Sequence, residues 1–230
     1  MDFAKYEDMI KSLLYKEWLK TRWVILCLVA LLAGFCLYDF LVLSKNCELV
    51  GYAYLWEYAL DKNSVIVDNL SFLPIVCALL LSISQYVPEG YRKCLKLTLH
   101  LPLKQSRTVC VMQGYGLVVL VAMFALQSLA VFAFLGHYLV VDLVWRIVLS
   151  TLVWYCAGLG VYVWMSAICL EPKWGMKIFE ALLLCVLTGL YYLSTDAMAY
   201  RHGLLPLFVA TVLCALPLIH YSVRRFKDGE

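Results

Sequence analysis

Six apolar runs separated by short polar segments divide this chain: Trp23–Leu43, Leu70–Val87, Val109–Leu135, Leu143–Leu170, Ile178–Leu193 and Leu204–Tyr221. A helix needs roughly 20 apolar residues to cross the hydrocarbon of a bilayer. The runs are of that order, so the pattern predicts an all-α integral membrane protein with six transmembrane helices in a domain over residues 23–221. The first run holds 21 residues and one charge, Asp39. It is longer than the apolar core of about 7–15 residues in a secretory signal and lacks a small-residue cleavage site, which makes it a retained span.

Ahead of that run, residues 1–22 predict a cytoplasmic amphipathic helix. Tyr6, Met9, Ile10, Leu13 and Leu14 share one helical face, while Lys5, Asp8, Ser12, Lys16 and Leu19 lie largely opposite. This spacing suits a helix in the headgroup plane with its lysines on the wet side. Residues 222–230 form a short cytoplasmic tail. Between the first two runs, Tyr52, Tyr54, Trp56 and Tyr58 suit an interfacial belt on the outer side.

Composition supports the class. Apolar residues make up 64% of the 230 and charged residues 15%, and mean hydropathy is +0.82, whereas a soluble domain is about half apolar and about a quarter charged. The net charge of +3 matters less than its distribution. Of 19 basic residues, 15 fall in the N-terminal segment, the segments after the second and fourth runs, and the C-terminal tail. Lys45, Lys62, Arg146 and Arg201 fall on the other side. Basic residues accumulate in cytoplasmic loops, so both termini are predicted to be cytoplasmic in a multi-pass protein of the cell membrane. The lipid bilayer is the partner this distribution implies, and nucleic acid is not.

Catalytic patterns are missing. The ten cysteines are scattered without a CxxC pair, which supports neither a zinc site nor a redox motif. No G-x-x-x-x-G-K-[ST] phosphate loop, H-E-x-x-H or G-x-S-x-G occurs. The chain is therefore read as no enzyme, with no catalytic, cofactor or metal residues. There is no evident internal repeat and no filter-like ring of polar residues.

A few polar residues stand inside the runs. Asp39 lies about a turn from the outer boundary, where water reaches it. With Gln127 and Ser128 it makes a possible transport path, although Gln127 better suits a hydrogen bond between helices. Ala157, Gly158 and Gly160 are small enough to let another helix approach closely. Glu180 is one turn past Lys177 and is expected to pair with it. Pro206 and Pro217 are expected to bend or end the last helix.

The segment from Pro88 to Arg107, PEGYRKCLKLTLHLPLKQSR, is unlike an ordinary polar loop. Arg92, Lys93, Lys96, Lys104 and Arg107 make it basic, yet Leu95, Leu97, Leu99, Leu101 and Leu103 recur at every second position. The leucines predict that it folds against something apolar, either the membrane surface or a partner protein. Glu89-Gly90, the leucines to Leu101, Leu101-Pro102 and Ser106-Arg107 resemble the order found in type-two, exporter-permease membrane subunits of ATP-binding-cassette (ABC) transporters. Lys16 to Lys20, KEWLK, is similar to the run such subunits carry before their first span.

The resemblance implies a permease subunit that forms the substrate path of an export system in the cell inner membrane. It implies a coupling helix between spans two and three, formed by Glu89, Gly90, Arg92, Lys93, Leu95, Leu97, Leu99, Leu101 and Pro102, that presses into a separate ATPase subunit. Glu89 would stand in the first turn of that helix, favoured by the helix dipole and able to meet a basic residue of the ATPase. ATP and Mg would bind on that partner and none on this chain, and a second copy or a related permease would complete a dimer. The alternative is a secondary transporter or scaffold membrane protein without an ATPase.

Overall fold

A computed structural model describes residues 3–51, 68–91, 105–194, 199–200 and 202–228. Among these residues the structure is all-helical: α1 Phe3–Val50, a short 3-10 turn Asp68–Leu70, α2 Leu73–Tyr91, α3 Gln105–Leu135, α4 Val141–Leu170, α5 Trp174–Tyr191 and α6 Leu204–Asp228. Five of the helices are long and apolar enough to cross a membrane, and α2 adds a shorter apolar helix. The six helices coincide with the six runs.

Their ends differ from the runs. The expected interfacial helix over 1–22 and the first span are one continuous helix of 48 residues, about 72 Å long at 1.5 Å per residue. No Gly or Pro occurs before Gly34 to interrupt it. The two expected faces are only partly kept: on the apolar face Leu13 is buried but Leu14 exposed, and on the wet face Lys16 makes an ion pair with α2. Pro206 lies in the first turn of α6, where a missing N–H costs little. Pro217 lies inside α6, which continues past it to Asp228.

The helix α4 forms the centre, packing against α2, α3, α5 and α6, while α1 packs against α2 and α3. Seventeen of the thirty residues of α4 are buried, against three of the eighteen of α5. The small residues of α4 explain part of this. A Cβ on Gly158 would come within 2.8 Å of the Pro74 carbonyl oxygen, so glycine lets α2 and α4 touch backbone to backbone. A Cβ on Gly116 in α3 would collide with the Tyr162 ring.

One end of the bundle, called the basic end below, gathers Lys16, Lys20, Glu89, Glu171 and Arg225. The opposite end is closed by aromatic contacts. Phe40 stacks on Phe134 with centroids 3.9 Å apart. The Tyr192 hydroxyl donates to the Ser71 carbonyl at 2.7 Å. Between the two ends, the Trp164 indole donates to the Thr211 carbonyl at 3.0 Å.

Candidate functional site

At the basic end, four helices are tied by polar side chains. Glu89 is one turn beyond Gln85 on α2, and both face the bundle. Facing them on α1 are Lys16, Glu17, Lys20 and Thr21, one and a half turns of helix. Lys16 and Lys20 both reach Glu89 Oε1, at 2.8 and 2.9 Å. The Lys20 ammonium also donates to Glu17 Oε1 and to the Gln85 carbonyl, each at 2.9 Å, so its three donors are all used. Glu17 and Glu89 are almost wholly buried.

Both carboxylates lie on the basic side of the runs 23–43 and 70–87. Burial pushes the Glu17 carboxyl above its ordinary value despite Lys20. Burial acts the same way on Glu89, but hydrogen bonds from Lys16 and Lys20 outweigh it and hold that carboxyl below its ordinary value. One lysine is thus divided between two acids, and the second lysine favours Glu89.

The tie continues inward. The Gln85 amide donates to the Met112 carbonyl of α3 at 2.8 Å and accepts from the Tyr162 hydroxyl of α4 at 2.7 Å. Thr21 and Tyr115 share a hydrogen bond of 2.7 Å between α1 and α3, and Gln113 donates to Ser166 between α3 and α4. Buried hydrogen bonds between helices of this kind fix their relative register. Sequence reading passed over Gln85, Tyr115 and Tyr162 because nothing in their local spacing marks them. The only signal was that Ser82, Ser84 and Gln85 make the end of an apolar run polar.

Of the expected coupling residues, Glu89 and Gly90 are in the last turn of α2. Arg92, Lys93, Leu95, Leu97, Leu99, Leu101 and Pro102 lie outside the described residues. Glu89 thus belongs to α2, and its Oε1 is occupied within the chain by Lys16 and Lys20 of α1.

The expected path residues separate. Asp39 is 7% exposed, not water-washed, because Asn69 covers it and donates to its Oδ1 at 2.8 Å. Gln127 is buried on α3 against Cys36 of α1. Asp39 and Gln127 thus share the α1–α3 seam. Ser128 is half-buried and donates back to the Ala125 carbonyl of its own helix at 2.9 Å.

A second polar cluster at the basic end joins α4 to α6. Glu171, beside Pro172 at the end of α4, is buried and accepts from Arg225 at 3.0 Å and from Ser222 at 2.8 Å. The expected Glu180–Lys177 pair does not form. Lys177 stands over the Trp174 ring, 5.2 Å from its centroid, and Glu180 turns inward. The nine described cysteines are all free thiols.

No family model, curated protein or solved structure matches the chain. Fold and hydropathy define a helical protein of the membrane type, with its densest polar network at one end.

Proposed function

We propose that the chain is the membrane subunit of an ABC exporter, a permease working as a dimer and driven by a separate ATPase that docks on the segment from Pro88 to Arg107. The residue pattern of that segment supports this reading. The observation that carries it is the clamp on Glu89. The residue that leads into the segment is held by Lys16 and Lys20 of α1 and, through Gln85 one turn earlier, by α3 and α4. A push delivered by an ATPase to the segment enters α2 at a point already tied to three other helices. Movement there is transmitted through these buried ties to the other helices. In this reading, substrate passes along the dimer, and ATP and Mg stay on the partner.

The test is to purify the tagged full-length chain from its own membranes in mild detergent. The expected result is a co-purifying subunit with a G-x-x-x-x-G-K-[ST] loop and ATP hydrolysis in the preparation. A chain that is inserted, folded and repeatedly free of any ATPase would sink the proposal and leave the scaffold or secondary-transporter reading.

A further inference from the structure

Glu180 has a chemistry that the reading above does not use. Only three residues of α5 are buried, Glu180, Leu184 and Tyr191, and these form the seam by which α5 packs on α4. Glu180 itself has no exposed surface, and neither carboxylate oxygen has a hydrogen-bond partner among the described residues. The charged groups facing it come from each neighbour: Glu171 at the end of α4, Arg225 of α6 and Lys177 of α5 itself. None of them neutralises it. Arg225 is engaged by Glu171 and by the Tyr221 hydroxyl, Lys177 lies over Trp174, and Glu171 is a second acid. A bare carboxylate has no stable place in such a seam, since burial of a charge without a partner is strongly unfavourable.

We propose that Glu180 is a proton-binding site, and that its bound proton fastens α5 to α4. The neutral carboxyl fits the seam as a polar but uncharged side chain. When the seam opens and water reaches the group, the proton leaves and the resulting charge opposes re-packing beside Glu171. The ligand is a proton and not a metal ion, because no group of three metal-ligating side chains forms among the described residues, and hard cations take six or more oxygens. The inference does not depend on an ATPase partner.

The experiment uses the full-length chain in lipid nanodiscs and compares wild type with Glu180→Gln by infrared spectroscopy and thermal melting across a pH series. A protonated-carboxyl C=O band present at neutral pH in wild type and missing in Glu180→Gln is expected. Raising the pH should remove that band and shift the wild-type melting temperature downward. Stability tied to a group protonated in the packed state is lost as pH rises. Glu180→Gln, which is neutral at that position throughout, should lose this part of the pH dependence of melting over the same window. If Glu180→Gln fails to insert, Glu180→Met serves for the same subtraction. Absence of a Glu180-dependent acid band at neutral pH would overturn the proposal. So would stabilisation by sodium or potassium at fixed pH that the substitution abolishes, which would identify a cation as the ligand.

Discussion

Lys20 ties Glu89 to Glu17 across two helices, its ammonium lying 2.9 Å from a carboxylate oxygen of each and 2.9 Å from the Gln85 carbonyl. An ammonium with all three donors used, two of them on the next helix, works as a joint between α1 and α2. The pair is mostly out of water, with side-chain exposures of 17% for Lys20 and 2% for Glu89.

Replacing one partner of such a pair leaves the other charge buried, at a cost of about 3–5 kcal/mol. Lys20→Met and Glu89→Gln should each lower the melting temperature of the detergent-solubilised chain, and the double substitution should cost clearly less than their sum. Because the Glu89 carboxyl is held below its ordinary value, the contact contributes fully above that ordinary value. It fades as pH falls through the lowered one. Lys20→Met should therefore flatten the acid limb of the stability profile. Simple additivity with an unchanged acid limb would mean that the two residues are not coupled.

The glycines of α4 separate close approach from mere smallness. A Cβ on Gly158 meets the Pro74 carbonyl oxygen at 2.8 Å, whereas one on Gly160 meets only the Thr211 hydroxyl at 3.6 Å. Gly158→Ala should destabilise by about 1–3 kcal/mol through overpacking. Gly160→Ala should be neutral or gain up to about 1 kcal/mol from helix propensity. Melting of both variants in the same detergent checks the contrast, and equal behaviour would show that α2 and α4 do not meet at Gly158.

These contacts also show what the sequence made legible. The six runs became six helices because a long apolar stretch has few other ways to satisfy its backbone, and Gly158 could be read as a contact point from its small neighbours. Partners distant along the chain were not legible. Glu171 stands beside a Pro and reads locally as a break, yet its partner Arg225 lies 54 residues further on. For Glu180 the local rule misled, since a Lys one turn away is a partner only if both side chains face the same medium. The buried seam of α5 takes Glu180 inward and leaves Lys177 over Trp174. The same applies to Lys16, assigned to the wet face by periodicity and drawn instead to a carboxylate on α2.

The distribution of basic residues yields a topology prediction. With 15 of 19 lysines and arginines assigned to one side, a reporter active only in the cytoplasm should be active when fused after Glu230 and silent when fused near Asn63. The reverse outcome at either fusion point would overturn the six-span arrangement.

The segment beyond Tyr91 decides between a docking helix and a loop lying in lipid headgroups. If its leucines only meet lipid, truncating them changes no protein partner. If they fill a groove on an ATPase, each buried leucine is worth roughly 1.5–3 kcal/mol at about 25 cal/mol per Å2, more than tenfold in affinity at about 1.4 kcal/mol per decade. Every second position is not helical spacing, so a helix can present only one i,i+4 pair to the groove, Leu95 with Leu99 or Leu97 with Leu101. One double-alanine variant should therefore lose ATPase retention and substrate-stimulated hydrolysis, while the other keeps most of both. Glu89→Gln adds a distinct readout. With Glu89 clamped by α1, its loss should leave the ATPase bound but weaken stimulation, separating docking from transmission. Full retention with unchanged stimulation in all three variants would remove the coupling role from this segment.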